Sequence, residues 1–433
     1  MRIGGNPGSP VPLAAIDLVA PERYRSGDQH PAWRTLRQQA PVWWHDRGGQ
    51  TGFWCVTRHA DCERVLKDHR SFSSAGGTIL ASVGAPDPAG GRTISLMDPP
   101  RHTVLRTTAM RWFSHSVVRR RAGRIRGHVR ALADRLAAGE IDFAALARRL
   151  PMAVTGELMG IPERYWDDLA HWTAVGLAPE DPAWSPGPDV DATLRRAHHE
   201  IFASFLEIIQ AVRARPGDDL ISALIRLAPD GRPMDDRTVL MNCYSFMAGA
   251  NSTTPHVAAH TLLALIERPA LWHELAAAPD LLGALVEEGA RWTSTPHHLV
   301  RRAVTEVRLG GVRIAAGDWV AAWLPSANRD ETVFTDPYTF SLRRPSNPHL
   351  GFGAGPHYCI GAPLSRMALT MLFEELLGRF ERIEPAGPPR HLYSNWINGL
   401  TSMPVAVTPR RRVRGAVHDP VAAMEDARAH DHP

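Results

Sequence analysis

The sequence predicts a mainly α protein with a minor β region, and three observations carry that prediction. From residue 99 to about 292 the apolar positions recur at helical spacing, interrupted at Pro151, at 179–188 and at Pro216-Gly217-Asp218. Strand-like runs are short and gather in two places. One is Gly52-Phe53-Trp54-Cys55-Val56-Thr57, and the other is 300–323, with turns marked by Gly310-Gly311 and Gly317-Asp318. No internal repeat and no long polar linker divides the chain, so its 433 residues read as one domain, although length alone would suggest about three.

Taken in order, residues 1–21 form a Pro/Gly-rich lead-in, 22–408 a single domain, and 409–433 a tail. The tail carries Arg410, Arg411, Arg412 and Arg414, has little to bury, and is expected to be mobile and solvated. Short helices and strands mix up to about Met97. Within them, 71–91 is rich in Gly, Ala, Ser and Pro without a sustained period, which predicts a long functional loop, a lid over a pocket. A last helix over 363–380 and a closing strand over 404–408 complete the pattern.

Composition excludes several classes. Hydrophobic residues at 44% and charged residues at 22% match ordinary globular usage, which rules out a disordered or fibrous chain. The formal charge of +4 is too small for a nucleic-acid polycation, and no nucleic acid is expected as a partner. Lys67 is the only lysine, so the basic balance rests on arginines, which stay protonated. Four cysteines, Cys55, Cys62, Cys243 and Cys359, make no disulfide scaffold and no C-x-x-C zinc site, so a reducing cytoplasm fits best. The stretch Met1-Arg2-Ile3-Gly4-Gly5-Asn6-Pro7 lacks an apolar signal core, and nowhere do about 18 apolar residues run together, so neither export nor a membrane anchor is expected.

The richest stretch is Phe352-Gly353-Ala354-Gly355-Pro356-His357-Tyr358-Cys359-Ile360-Gly361, followed by an apolar-periodic helix from about Pro363. A lone cysteine is usually a small buried hydrophobe. Here the glycines permit a tight loop whose N–H groups point inward at sulfur, and the helix brings its positive end nearby; both stabilise a thiolate. Such a thiolate is a nucleophile or a metal ligand. No cysteine-protease signature surrounds Cys359, and a single sulfur ligand suggests a haem iron, because other thiolate sites mostly need several cysteines.

The stretch resembles the haem-ligand loop F-G-x-G-x-H-x-C-x-G of the cytochrome P450 superfamily, with every specified position met. The resemblance implies a triangular, mainly helical domain around a buried haem b, with Cys359 as axial thiolate and Phe352 packed near the sulfur. It covers about 53–407. Asp98-Pro99-Pro100-Arg101-His102-Thr103-Val104-Leu105-Arg106 is similar to the family's D-P-P-x-H-x-x-x-R, which nominates His102 and Arg106, four apart on one helix face, for the haem propionates. By the same likeness Arg301 completes the clamp from a strand, and His357 serves as the loop's own donor. Arg302 is the neighbour most easily confused with Arg301, and adjacent strand residues face opposite ways. Glu288-Gly289-Ala290-Arg291 looks like the family's E-x-x-R, with Arg344 as second arginine, a structural ion-pair set behind the cysteine loop.

A long helical pattern over about 235–267 is weakened at Gly249 and at Pro255, which cannot donate to the Asn251 carbonyl; a kink with free polar groups is expected there. Similar enzymes carry A-G-x-[D/E]-T-T here, where an acid and an alcohol help deliver protons during oxygen activation. Matching Ala248-Gly249 puts Asn251 and Ser252 in those positions. Gapless counting back from Glu267-Arg268-Pro269 puts Ser252 and Thr253 there instead, and preserves helix length and a threonine. In either register the carboxylate is missing, so ordinary proton relay is in question.

The resemblance implies a haem-thiolate monooxygenase, oxidising a C–H bond of a small organic substrate with dioxygen and two electrons from a ferredoxin or flavodoxin and its reductase. A monomer is expected. Oxidative coupling or peroxide-driven chemistry is the alternative within the family, and a non-catalytic haem sensor the alternative outside it. Arg119, Arg120, Arg121, Arg124, Arg126 and Arg130 could form a basic dock for an acidic electron carrier, or simply a solvated helix face. Steroids, terpenoids and alkyl chains are the substrate classes hinted at. Pocket-facing candidates are the 78–95 loop, Met247, Ala250, His298, Leu299 and Trp396; His297 and His298 would either meet a polar substrate or satisfy loop carbonyls.

Overall fold

A computed structural model of the chain describes residues 8–26, 29–48, 51–139, 141–185, 189–228 and 231–410. The tail beyond 410 lies outside the described residues. Helices dominate, as the periodicity predicts. The longest are His115–Ala137, Val190–Ala214, Ala362–Arg379 and Asp236–Asn251. Asp189, Asp219 and Asp235 each precede a helix and accept a hydrogen bond from the backbone N–H three residues on, which satisfies one of the donors every helix start leaves free. Pro151 does not interrupt its helix; it sits in the first turn of Arg149–Met159, where its missing N–H costs nothing. Among the described residues no helix is long and apolar enough to cross a membrane.

The main apolar core lies between His115–Ala137, Arg149–Met159, Thr254–Ile266, Leu282–Thr293 and Ala362–Arg379. Leu262, Leu265, Leu372 and Leu376 are fully buried there, each stabilising the fold by about 1.5–3 kcal/mol. Thr254–Ile266 is apolar almost all round and accordingly buried almost all round, which fits a helix through the middle of the mass.

A five-stranded sheet flanks the helices, in the order Val42–Asp46, Gly52–Val56, Trp319–Trp323, His298–Ala303, Phe72–Ser73. Among the described strands only Gly52–Val56 and Trp319–Trp323 pair in parallel. Val307–Leu309 and Val312–Ile314 form a hairpin across Gly310 and Gly311, whose φ of 55° and 82° explains the glycine pair. Phe380–Pro385 pairs with Val405–Pro409.

Two expectations are corrected. The described part of the lead-in, residues 8–21, packs on the fold: Ile16 and Leu18 are buried against Trp33, Phe53 and Trp323, and the Tyr24 hydroxyl donates to Leu18 O at 2.9 Å. Apolar residues inside the Pro/Gly stretch anchor it. The pattern over 235–267 is two helices, Asp236–Asn251 and Thr254–Ile266, broken at Ser252 and Thr253. Pro255 occupies the second helix's first turn, so the chain restarts where a kink was expected.

Candidate active site

The cysteine loop is folded by its own backbone. The Cys359 N–H donates to Phe352 O at 2.8 Å, the Tyr358 N–H to Gly355 O at 3.0 Å and the Gly353 N–H to Leu350 O at 2.8 Å. Gly355 has φ of 67°, and a Cβ there would stand 2.7 Å from Leu66 O and Lys67 Cα, so only glycine lets the loop lie on the end of the helix His59–Lys67. Cys359 presents its sulfur to a large cavity at the start of Ala362–Arg379. Enclosure pushes its thiol up, while the Gly361 and Ala362 N–H groups and the Arg106 guanidinium act the other way. The other cysteines, Cys55, Cys62 and Cys243, are buried, and desolvation pushes their thiols well up. They are structural.

The same cavity is lined by His102, Arg106, Arg301, His357 and Phe352. His102 and Arg106 come from one face of Arg101–Met110, and Arg301 from the sheet. Arg301 is buried, whereas Arg302 points outward, lying over Trp319 at 5.9 Å and donating to Gly317 O. Strand alternation separates the two, as expected. The rings of His102 and His357 lie 4.2 Å apart, and the Nε2 atoms of both are buried without a partner. Burial and neighbouring cations hold His102 down to about 4 and His357 to about 2, and burial lowers Arg301 to about 10. No Asp or Glu is among the described lining residues. A cluster of four basic side chains with two orphaned histidine nitrogens, and no acid beside them on the described cavity wall, fits an anionic occupant, as the two propionates of a haem would be.

Behind the loop, Glu288 is fully buried between two arginines. Arg291 Nη2 donates to Oε1 at 2.7 Å and Nε to Oε2 at 2.8 Å, and Arg344 binds the opposite side at 3.0 and 3.1 Å. Both arginines also donate to backbone carbonyls between Asn328 and Thr339. Arg344 and Arg291 thus meet on one carboxylate. Sequence reasoning missed the adjacent Glu287, which accepts from Arg366 Nη2 at 2.9 Å and meets His349 Nε2 at 3.1 Å, while Arg366 lies over Phe352 at 4.4 Å. Two consecutive acids, one facing each way, were the available signal.

At the helix break Gly249, Ala250, Thr253 and Thr254 line the cavity. Thr253 Oγ1 donates to Gly249 O at 3.3 Å. Asn251 and Ser252 do not line it. Asn251 Nδ2 meets Met152 Sδ at 3.0 Å, and the Ser252 hydroxyl turns back to Gly249 O. Of the three residues, Thr253 alone is on the cavity wall.

The substrate-pocket residues divide. Ala250 and Leu299 line the cavity together with Thr78, Ile94 and Ser95 of the 78–95 loop. Met247, His298 and Trp396 do not. Met247 is fully buried on another face of its helix, where Thr173 Oγ1 approaches its sulfur at 3.8 Å. His298 Nε2 accepts from the Leu80 N–H at 3.1 Å beside Trp323, and Trp396 packs with Trp184 and Ile397. His297 is enclosed by Tyr24 and Trp33. The arginine row on His115–Ala137 also divides. Arg121 donates to Glu157 O and Asp218 O, and Arg124, Arg126 and Arg130 pair with Glu157, Glu374 and Glu375, leaving Arg119 and Arg120 exposed and without an acidic partner among the described residues. Most of that row clamps helices together.

Comparison with known proteins supplies the frame for this geometry. The family model for cytochrome P450 matches residues 188–407. Linalool 8-monooxygenase of Pseudomonas putida is 32% identical over 405 residues, covering 91% of this chain and 99% of that one. Among solved structures, a Mycobacterium marinum cytochrome P450 in complex with pseudoionone is similar at TM-score 0.85 and 31% identity, covering 92% of this chain and all of that one. P450 OxyD, involved in the biosynthesis of vancomycin-type antibiotics, is similar at TM-score 0.83 and 34% identity, with the same coverage. With the cysteine loop and the basic cluster on one cavity and the buried Glu288 set behind the loop, the chain belongs to the cytochrome P450 family, as a monooxygenase whose haem iron is bound by Cys359.

Proposed function

We propose that this chain oxidises a C–H bond of an apolar small molecule of the terpenoid, steroid or alkyl class, taking two electrons from a ferredoxin or flavodoxin served by its own reductase. The observation that carries this reading is one cavity with Cys359 and Thr253 on its wall and mostly apolar side chains elsewhere, among them Phe113, Val154, Leu158, Phe246 and Leu299. When bound, the haem supplies dioxygen activation and transfer of one oxygen atom to carbon. His102, Arg106, Arg301 and His357 would hold its propionates and fix its orientation. The apolar wall excludes water and positions substrate, and the Thr253 hydroxyl passes a proton between solvent and the reacting centre. Arg119 and Arg120 are the exposed cations left to meet an acidic electron carrier.

The missing carboxylate supports a second reading, peroxide-driven oxidation or oxidative coupling, since neither Asn251 nor Ser252 places an acid at the break. Turnover with peroxide alone, compared with turnover on an electron-transfer chain, separates the two. The central test is the spectrum of the reduced, carbon-monoxide-bound protein. A strongly red-shifted Soret band is expected, lost in Cys359→Ser; folded, haem-loaded wild-type protein without that band overturns the reading.

A further inference from the structure

The cavity carries a pair of hydroxyls at the end away from the helix break. Ser95, on the 78–95 loop, and Ser245, on Asp236–Asn251, both line it, with their Oγ atoms 3.0 Å apart. Thr93 Oγ1 lies 3.3 Å from Ser95 Oγ, which makes a row of three hydroxyls. The row is held from behind by the fully buried Asn242, whose Oδ1 accepts from the Ile94 N–H at 3.0 Å and whose Nδ2 donates to Arg92 O at 2.9 Å and to Thr238 O at 2.8 Å. With Arg92 and Ile94 held by Asn242 and the Leu96 N–H donating to Thr93 O at 3.0 Å, the backbone around Ser95 is fixed in place before any ligand arrives.

Donor accounting then leaves something over. Three hydroxyls bring three O–H groups, and the two contacts within the row use two of them. Ser204 and Thr108 spend their hydroxyls on the carbonyl four residues earlier, but Ser245 is bonded to Ser95 instead. Run from Thr93 toward Ser245, the row leaves the Ser245 O–H over; run the other way it leaves that of Thr93, and in both directions lone pairs of Ser95 and Ser245 remain on the cavity wall. Such a site discriminates through its own unpaired polar groups, which penalise a ligand lacking the matching oxygen.

We propose that Ser95 and Ser245 are the polar anchor of the substrate site, receiving one hydroxyl or carbonyl oxygen of an otherwise apolar molecule. The proposal rests on the monooxygenase reading above and adds substrate class and orientation to it. Ser245 stands eight residues before Thr253, roughly 12 Å along the axis at 1.5 Å per residue. A molecule tethered by its oxygen at Ser245 is thus oxidised at a carbon remote from that oxygen, and a primary alcohol of about ten carbons spans the distance.

The test uses haem-loaded protein already showing the red-shifted carbon-monoxide band, so failure of the haem-thiolate reading is visible beforehand. Linear primary alcohols of roughly eight to twelve carbons, and alkanes of matching length, are titrated while the haem spin-state spectrum is followed. In wild-type protein the best alcohol is expected to bind about tenfold more tightly than its alkane, the worth of one hydrogen bond. Ser245→Ala is expected to abolish that preference and leave alkane binding within about twofold. Ser95→Ala, which leaves the Ser245 hydroxyl in place, is expected to reduce it only in part. Equal loss for alcohol and alkane in Ser245→Ala would make the pair a mere loop latch and overturn the proposal. So would absence of an alcohol preference in the wild type, or of any spectral response to the alcohols.

Discussion

Arg344 and Glu288, 56 residues apart in sequence, meet through a paired contact, Nε to Oε2 at 3.0 Å and Nη2 to Oε1 at 3.1 Å, with both side chains almost wholly buried. Arg291 holds the other side of the same carboxylate. A buried charge that loses its counter-ion costs about 3–5 kcal/mol, against a total stability of about 5–15 kcal/mol. Glu288→Ala strands two guanidinium groups, so we expect little folded, haem-loaded protein from it or from Arg291→Ala. Yield and the ratio of haem to protein absorbance check this. A Glu288→Ala protein that folds with full haem and an unchanged Tm contradicts the structural role.

The basic cluster predicts a separate effect on haem retention. Arg106 and His102 hold no acid of their own on the cavity wall, so their interaction with a bound anion is available to be lost. Each charge-assisted hydrogen bond is worth about 1.5–3 kcal/mol. Arg106→Ala and His102→Ala are therefore expected to speed haem transfer to an excess of apomyoglobin by about tenfold or more, with the fold retained. Arg302→Ala, at the exposed neighbour of Arg301, is expected to leave the rate unchanged, and a similar acceleration there would undo the distinction between the two arginines.

How much of this was legible in the sequence depended on whether the information was local. The cysteine loop is contiguous, and its glycines announce a backbone that Gly355 indeed requires. Arg301 was preferred to Arg302 through the family likeness, counted back from Gly310-Gly311, and strand alternation is why that choice mattered. The same rule should have excluded His298, since Leu299 beside it faces the cavity and neighbours on a strand cannot share a face. Met247 failed for the helical analogue: Ser245, Gly249 and Thr253 recur every four residues along the cavity, and Met247 lies midway round the turn. Trp396 and the arginines of His115–Ala137 were beyond reach, because their partners Trp184, Glu157, Glu374 and Glu375 come from distant parts of the chain.

Thr253 lines the cavity at the helix break, its hydroxyl donating to Gly249 O at 3.3 Å, whereas Asn251 and Ser252 do not line it. If proton delivery runs through that hydroxyl, Thr253→Ala should raise hydrogen peroxide released per electron pair several-fold while substrate binding by spin shift stays the same. Asn251→Ala and Ser252→Ala should leave coupling within about twofold, the effect of an interaction worth under half a kcal/mol. Unchanged coupling in Thr253→Ala, or a larger loss in Ser252→Ala, would reassign the alcohol.

Glu287 gives a pH dependence with a definite sign. Its hydrogen bonds to Arg366 and His349, set against desolvation, hold its carboxyl down at about 2, below the ordinary 4.5. A carboxyl lowered in the folded state binds fewer protons there than in the unfolded chain, so stability rises with pH across the interval between the two values. The contribution is complete above about 4.5 and is lost as pH falls from there toward about 2. Because Arg366 also lies over Phe352, protonating Glu287 loosens the cysteine loop from its rear. In Glu287→Gln the fall in denaturant midpoint between pH 5 and pH 2 should be shallower than in the wild type, by up to one proton's worth of slope, about 1.4 kcal/mol per pH unit at most. Midpoints measured through haem absorbance at several pH values give both slopes. Parallel slopes would mean that Glu287 titrates alike in the folded and unfolded chains, and that the pairing with Arg366 and His349 adds nothing to the hold on the loop.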